Sequence, residues 1–165
     1  WKSHPELFDE KPLTVAMLGD LRYGRTVHSL LNALSHFNVH FKFISPPSLK
    51  MPVQYLDFLK EQNLSFEEHE QIEGCLSDVD VLYATRIQEE RFPDPVEYLR
   101  MKGAYILKAE NLQDVKEGFK VLHPLPRVDE IDVSVDALES AAYFQQAANG
   151  IPVRKALLAL LLGQI

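Results

Sequence analysis

The chain has 165 residues, of which 46% are hydrophobic and 25% charged, an ordinary globular composition with enough residues to bury a core. Its formal net charge of −7 argues against a broad basic face for nucleic acid. Its single cysteine, Cys75, allows no internal disulfide, which fits a reducing compartment such as the cytoplasm. The longest apolar run, residues 156–162, is far shorter than the roughly 20 residues that a membrane helix needs, so we expect no membrane partner.

The first twelve residues, WKSHPELFDEKP, are polar and contain two prolines, as in a linker or the tail of a preceding element. They hold no apolar segment of the kind that a signal peptide needs, and the chain starts at Trp1 rather than at methionine. We therefore expect a piece of a longer protein, with one domain over residues 13–150 and a separate apolar helix within 151–165.

The first half of the chain alternates strand and helix patterns. Residues 13–19 are a continuous apolar run that ends in glycine, which predicts a buried strand, and residues 24–37 carry apolar side chains at helical spacing. A second strand is predicted over 39–45, a helix with proline in its first turn over 52–63, and a short strand over 64–69.

The second half continues this alternation with shorter elements. The predicted strands are 80–85, 104–107 and 120–123, and the predicted helices are 72–79, 94–102, 110–116, 138–148 and 152–162. The helix over 72–79 would place Cys75 in the core. Alternating strands and helices predict an α/β fold, in which a doubly wound, Rossmann-like parallel sheet carries helices on both faces.

Three polar loops each follow a predicted strand: GDLRYGRT over 19–26, TRIQEER over 85–91 and HPLPR over 123–127. Ligands of parallel α/β sheets bind outside the carboxyl ends of the strands. We therefore expect the three loops to meet in a single site.

The first two loops are rich in arginine. The first leads into a helix, whose N-terminus favours anions, and Arg22 and Arg25 add full positive charge. It lacks the G-x-G-x-x-G fingerprint of dinucleotide sites. In the second loop, Arg86 could grip a carboxylate with two parallel hydrogen bonds. The alternatives are a tight turn with solvated arginines for the first loop and a mobile loop with internal ion pairs for the second.

The third loop is stiffened by two prolines, which cannot continue a central strand and which leave neighbouring carbonyls available to a ligand. A cis bond before one proline would aim such a carbonyl, whereas the alternative is a rigid strand exit. The sequence shows no histidine or cysteine spacing typical of a zinc site and no Ser/His/Asp arrangement, so we expect no metal.

Five strings occur in this order: GDLRYGRTVHSL, PPSLKMP, DVLYATRIQEERF, HPLPRVDEI and AAYFQQAANGIPVRKALLALLLG. Together they resemble the carboxyl-terminal, aspartate-binding domain of the aspartate carbamoyltransferase family. The amino-terminal domain of that family carries Ser-Thr-Arg-Thr and His-Pro-x-Gln motifs, and neither string occurs here. The resemblance implies transfer of the carbamoyl group of carbamoyl phosphate to L-aspartate in pyrimidine biosynthesis, without a cofactor. It also implies a cytoplasmic homotrimer of full chains, with possible regulatory or fused pathway partners.

The resemblance also implies roles for particular residues. Arg25 would hold the α-carboxylate of aspartate, and Arg86, with Gln88 beside it, would hold the side-chain carboxylate. The backbone of Leu125 and Pro126, joined by a cis bond in the family, would meet the carbamoyl group. Residues that would support the site or latch the domains together are Arg22, Tyr23, Glu90, Arg91, Glu97, Arg127, Asp129 and Glu130.

The resemblance covers only half of the enzyme. Groups that stabilise the phosphate lie mostly on the amino-terminal domain of the family, so we expect this chain alone to be inactive. Residues 156–162 are apolar all round, and we expect them to pack on that domain or to cause self-association without it.

Three alternatives remain. An ornithine-type carbamoyltransferase would need an acidic pocket and typically carries His-Cys-Leu-Pro, and Arg86 argues against it. A non-catalytic carbamoyltransferase-like assembly or regulatory module would keep the same fold. A generic doubly wound nucleotide binder is disfavoured by the missing glycine fingerprint.

Overall fold

The computed structural model describes residues 12–87, 96, 98–99 and 105–163. Its five parallel strands are β1 (Leu13–Leu18), β2 (Val39–Ile44), β3 (Phe66–His69), β4 (Val81–Ala84) and β5 (Lys120–Leu122). The α-helices that the structure describes from end to end are α1 (Arg25–Leu34), α2 (Val53–Glu61) and α3 (Tyr143–Leu161). Short 3₁₀ turns occupy Pro47–Leu49, Ala109–Leu112 and Val133–Val135. The predicted α/β fold is confirmed.

The strand order β3-β2-β1-β4-β5 places β1 at the centre of the sheet. The chain adds β2 and β3 on one side of β1 and then returns to add β4 and β5 on the other. Leu13 of β1 pairs with Val39 of β2, and Val15 pairs with Val81 of β4. In a doubly wound sheet this reversal between β1 and β4 opens a crevice at the carboxyl ends of the strands, where ligands bind.

Both faces of the sheet are buried, which explains why the central strands are continuous apolar runs rather than alternating ones. One face packs α1 and α2 against Met17, Phe41 and Phe43. The other face is covered by irregular segments around Leu76 and Leu107, and by the start of α3.

The predicted helix over 72–79 is wrong, because this segment forms a series of turns. The Cys75 N–H donates to the Ile72 carbonyl at 3.2 Å, which closes a turn of four residues, and Gly74 has a φ of +75°, which an α-helix does not contain. Cys75 is nevertheless buried in the core, as expected.

The predicted strand over 104–107 is also wrong for the residues described there. Leu107 makes a single isolated bridge to Ile131 outside the main sheet, with its N–H donating to the Glu130 carbonyl at 2.9 Å. The Tyr105 hydroxyl donates instead to the Glu70 carbonyl at 2.6 Å. Four apolar residues are too few for periodicity to separate a strand from a packed loop.

Helix lengths at the end of the chain also differ from the prediction. The segment predicted as a helix over 110–116 is the shorter 3₁₀ turn Ala109–Leu112. The two predicted final helices are one helix, α3, with Pro152 in its interior. One proline removes one hydrogen bond and bends a helix without necessarily ending it. The helix predicted over 94–102 lies largely outside the described residues, although residues 96, 98 and 99 are helical. Among the described helices, none has the length and apolar character needed to cross a membrane.

Candidate functional site

A pocket of about 310 Å³ opens at the carboxyl ends of β1, β4 and β5. Its lining residues come from all three loops singled out in the sequence: Asp20, Tyr23, Gly24, Arg25, Thr26, Thr85, Arg86, His123, Pro124, Leu125 and Pro126. The prediction that the three loops meet is therefore confirmed. The pocket lies at the reversal of the sheet, where the topology leads us to expect a ligand.

The loop after β1 is shaped by a buried carboxylate. Asp20 is almost fully buried, and its Oδ1 accepts the N–H groups of Arg22 at 3.1 Å and Tyr23 at 2.9 Å. The Nε2 atom of His28 lies 2.8 Å from the Leu21 carbonyl oxygen, within hydrogen-bond distance. Side chains on both sides of the turn thus hold the loop in one conformation.

Helix α1 points its N-terminus at the pocket, since Gly24, Arg25 and Thr26 all line it. The N-cap residue, Gly24, has no side chain that could accept a hydrogen bond from the first N–H groups, and the first turn contains no acidic residue. The first N–H groups of the helix have no partner within the helix and carry a partial positive charge. This end of the pocket is therefore suited to an anion.

The loop after β4 brings a second arginine to the same pocket. Thr85 is anchored to β1, because its N–H and its hydroxyl both donate to the Leu18 carbonyl, at 2.8 and 3.2 Å. Arg86 follows at once and forms part of the pocket wall. A guanidinium next to an anchored residue can bind a carboxylate with two parallel N–H···O hydrogen bonds.

The loop after β5 is the HPLPR segment. Its Leu125–Pro126 bond is cis, as the resemblance implied, and Leu125 has a φ of +50°. The Leu125 N–H donates to His123 Nδ1 at 2.9 Å, and the His123 N–H donates to Gln146 Oε1 of α3 at 2.9 Å. The turn is thus held to the last strand and to the last helix.

Arg127 anchors the far end of this loop. Its guanidinium donates to both carboxylate oxygens of Asp136 and lies 5.5 Å from the ring centre of Tyr143. Hydrogen bonds from Arg127 and then Tyr143 hold the pKa of Asp136 below its ordinary value. Burial, with the Asp136 contact, raises the pKa of Tyr143 to about 12. Arg127 therefore supports the loop from outside the pocket.

Not every predicted site residue lies at the pocket. Arg22 turns away, and its Nη1 donates to the Ser48 carbonyl at 3.3 Å. Asp129 does not line it either, and its N–H donates to Glu130 Oε2 at 3.0 Å. The predicted residues that do line it are Tyr23, Arg25, Arg86, Leu125 and Pro126. Gln88, Glu90, Arg91 and Glu97 lie outside the described residues.

Asp20, Thr85 and His123 line the pocket without having been singled out in the sequence. Each is the first or second residue after a strand, and that position was the available signal. Asp20 and Thr85 bind backbone groups, and His123 contacts the side chains of Gln146 and Glu130; no sequence spacing reveals these contacts. Across the described residues, no cluster of three or more His, Cys, Asp or Glu side chains could hold a metal ion.

Fold and pocket together define a doubly wound α/β domain whose candidate site carries two arginines and a helix N-terminus, and is therefore suited to an anionic small molecule. The profile of the family described as aspartate/ornithine carbamoyltransferase, Asp/Orn binding domain, matches residues 11–161. The chain belongs to the aspartate/ornithine carbamoyltransferase family of transferases and corresponds to its Asp/Orn binding domain.

Individual relatives agree with this assignment. The aspartate carbamoyltransferase catalytic subunit of Thermococcus gammatolerans is 52% identical over 151 residues, which cover 92% of this chain and 49% of the relative. That of Methanosphaera stadtmanae is 54% identical over 148 residues, which cover 90% of this chain and 48% of the relative. The chain thus spans about half the length of these relatives.

Solved structures show the same fold. The catalytic subunit of M. jannaschii aspartate transcarbamoylase superposes with a TM-score of 0.87 at 49% identity, over 93% of this chain and 50% of that one. Aspartate transcarbamoylase from Trypanosoma cruzi, in complex with carbamoyl phosphate, superposes with a TM-score of 0.83 at 35% identity, over 94% of this chain and 51% of that one.

Proposed function

We propose that this chain is the aspartate-binding half of an aspartate carbamoyltransferase. The complete enzyme transfers the carbamoyl group of carbamoyl phosphate to the α-amine of L-aspartate, in pyrimidine biosynthesis. The observation that carries the proposal is the pocket that joins Arg25, Arg86 and the cis Leu125–Pro126 turn.

A dicarboxylic amino acid needs two cationic partners, and the pocket offers two. Arg25, at the N-terminus of α1, holds the α-carboxylate, and Arg86 holds the side-chain carboxylate with help from Gln88. Each guanidinium can make two parallel hydrogen bonds to its carboxylate, which orients as well as binds the substrate. Ornithine would instead bring a cationic side chain towards Arg86, and the like charges would repel each other.

In the reaction that we propose, the unprotonated amine of aspartate attacks the carbamoyl carbon. A carbon–nitrogen bond forms, the tetrahedral intermediate collapses, the bond between the carbamoyl carbon and the phosphate oxygen breaks, and the leaving phosphate takes up the proton that the amine loses. The backbone of Leu125 and Pro126 orients the carbamoyl group and the incoming amine. Catalysis then rests on positioning and on electrostatic stabilisation rather than on a cofactor.

The other half of the enzyme supplies the phosphate-binding groups. The final turns of α3 expose Leu157, Leu158, Leu160 and Leu161, each to at least 55% of its surface. An apolar surface of this kind is typical of an interface, and we propose that the amino-terminal half covers it. The chain alone is then inactive, and the working unit is a cytoplasmic homotrimer of full chains, with possible regulatory or fused pathway partners.

The test is a carbamoylation assay of this chain assembled with its natural amino-terminal half, with aspartate and ornithine in parallel. We expect turnover with aspartate alone. Arg86→Ala should raise the KM for aspartate about tenfold or more, since a hydrogen bond between charged groups is worth about 1.5–3 kcal/mol. Lys60→Ala, which removes an exposed cation from α2, is the matched control and should leave the KM unchanged.

Two results would contradict the proposal. Turnover with ornithine would place the chain among ornithine-type enzymes. No turnover with either amine, from a complex shown to be assembled and folded, would favour a non-catalytic assembly or regulatory module.

A further inference from the structure

Two buried titratable side chains lie next to the pocket without a role in the reaction described above. His123 and Glu130 expose only 1% and 8% of their side chains, and His123 Nε2 lies 2.8 Å from Glu130 Oε1. The two groups meet at an angle outside ordinary hydrogen-bond geometry, and neither atom has another hydrogen-bond partner in the described part of the chain. Each of these buried atoms therefore depends on the other for compensation.

The position of the imidazole proton follows from the other ring nitrogen. His123 Nδ1 accepts the Leu125 N–H at 2.9 Å. A backbone N–H can only donate, so Nδ1 must present its lone pair. In the neutral ring the proton then lies on Nε2, the nitrogen that is 2.8 Å from Glu130 Oε1.

The other carboxylate oxygen of Glu130 binds the backbone of the same loop. Its Oε2 accepts the N–H groups of Val128 at 3.1 Å and Asp129 at 3.0 Å. Burial alone would raise the pKa of Glu130, but the contact with His123 and the backbone donors lower it below its ordinary value. The carboxylate is therefore ionised at neutral pH: its Oε2 accepts the two backbone N–H groups, and its Oε1 lies 2.8 Å from His123 Nε2, at ion-pair distance.

We propose that His123 and Glu130 are a positioning pair, in which the ionised carboxylate fixes the imidazole with its proton on Nε2, so that Nδ1 holds the Leu125 N–H and the cis-proline turn keeps its place in the pocket. This inference rests on the proposed function for its catalytic consequence. The chain of contacts runs from the Glu130 carbonyl, which accepts the Leu107 N–H at 2.9 Å, through the two side chains to Leu125.

The geometry also separates this role from acid–base catalysis. A general base needs a ring nitrogen that can take a proton from the substrate. Both nitrogens of His123 are already engaged, one by the Leu125 N–H and one by Glu130. His123 therefore acts through the backbone that it holds.

Glu130→Gln is a sharp test, because glutamine carries one oxygen where the carboxylate presents two, one to the backbone N–H groups and one to His123 Nε2. If its oxygen faces His123, its amide N–H groups meet the N–H groups of Val128 and Asp129. If its oxygen faces those N–H groups, its amide meets the Nε2–H of His123. Either orientation sets donor against donor. Glu139→Gln makes the same change at a fully exposed side chain and is the matched control.

Two conservative histidine variants test the two contacts of His123 separately. In His123→Asn, the amide oxygen takes the place of Nδ1 and can still accept the Leu125 N–H. In His123→Gln, the amide reaches the place of Nε2 and can still donate to Glu130, but the acceptor for Leu125 is lost. The proposal expects His123→Asn to be the milder change.

The experiment has two parts. The first part measures the ¹⁵N shifts of the imidazole and the hydrogen exchange of the Leu125 amide in this chain. We expect the Nε2–H tautomer and a protected amide, with protection lost in Glu130→Gln and His123→Gln but largely kept in His123→Asn. An Nδ1–H tautomer, or an amide equally protected in all variants, would overturn the proposal.

The second part measures kcat and the KM for aspartate in the assembled enzyme. We expect Glu130→Gln and His123→Gln to lower kcat about tenfold or more, the usual consequence of an unpaired buried donor, with a smaller change in KM. His123→Asn should keep more of kcat, and Glu139→Gln all of it. If kcat falls only in proportion to the fraction of enzyme that is folded, the pair only stabilises the fold. An inactive parent enzyme would count against the proposed function, whereas the exchange data would still decide the pair.

Discussion

Gly19→Ala should disturb the fold and the pocket together, because Gly19, directly after β1, lies against Thr85, directly after β4. Gly19 has a φ of +113°, a conformation that residues with a Cβ rarely adopt. A Cβ built there would lie 2.3 Å from the Thr85 carbonyl oxygen and 2.9 Å from its hydroxyl oxygen. Ordinary contacts begin near 3.4 Å, so the two strands would have to separate by about 1 Å.

The size of the effect follows from these contacts. An L-residue in a left-handed conformation costs about 1–2 kcal/mol. Separation of the strands would also weaken the two hydrogen bonds from Thr85 to the Leu18 carbonyl, at 2.8 and 3.2 Å, each worth about 1 kcal/mol. The expected loss is therefore about 3–4 kcal/mol, a large part of the 5–15 kcal/mol that stabilises a typical domain.

Gly74→Ala supplies the matched control for this prediction. Gly74 also has a positive φ, of +75°, but a Cβ there would meet nothing within 4 Å. Gly74→Ala should therefore lower the free energy of unfolding only by the cost of the left-handed conformation, about 1–2 kcal/mol. Urea unfolding followed by circular dichroism measures both losses. If Gly19→Ala costs no more than Gly74→Ala, the close approach of Thr85 does not matter and the reasoning is refuted.

Three further predictions concern the end of the chain. Arg127→Met should lower the free energy of unfolding by about 1 kcal/mol, because the Arg127–Asp136 pair is partly exposed, and an unchanged urea midpoint would contradict this. Burial, with the Asp136 contact, raises the pKa of Tyr143 from its ordinary value of 10 to about 12. The folded state therefore favours the protonated hydroxyl. The stability that this protonated form contributes is complete below pH 10 and disappears as the pH rises to about 12. Urea unfolding across that range should show a steeper loss in the parent than in Tyr143→Phe, and parallel curves would speak against it. The chain alone should self-associate through α3, and Leu157→Glu with Leu161→Glu should reduce this in light scattering, whereas a monomeric parent at high concentration would disprove it.

The central strands were predictable because they are buried on both faces. A strand such as β1, covered by helices on one side and by packed loops on the other, needs an apolar residue at nearly every position. The prediction of 13–19 therefore differs from the observed Leu13–Leu18 by a single residue. The segments 72–79 and 104–107 also contain apolar residues, but the buried ones lie in turns and at an isolated bridge. The composition of a segment indicates whether its side chains are buried. It does not determine whether the buried backbone forms a strand, a helix or a turn.

The site was predictable to the extent that topology decides it. Parallel strands present their carboxyl ends on one edge, so the loops that carry Arg25, Arg86 and Leu125 were expected on the same edge, and the adjacency of β1, β4 and β5 brings them together. The supporting groups did not follow from that rule. Asp20 binds backbone N–H groups two and three residues further on, and no spacing between side chains marks such a contact.

The HPLPR segment shows where local and long-range information separate. Its prolines predict a rigid segment after β5, and the cis bond before Pro126 agrees with that prediction. What holds the turn in place is spread along the chain: Gln146 on α3 accepts the His123 N–H, and Glu130 reaches back to the His123 ring. Proline can restrict the conformations that a loop adopts, but it cannot select the one that faces the pocket. That selection requires partners brought together by folding, and for this reason the supporting contacts of a site are the part that a sequence reveals last.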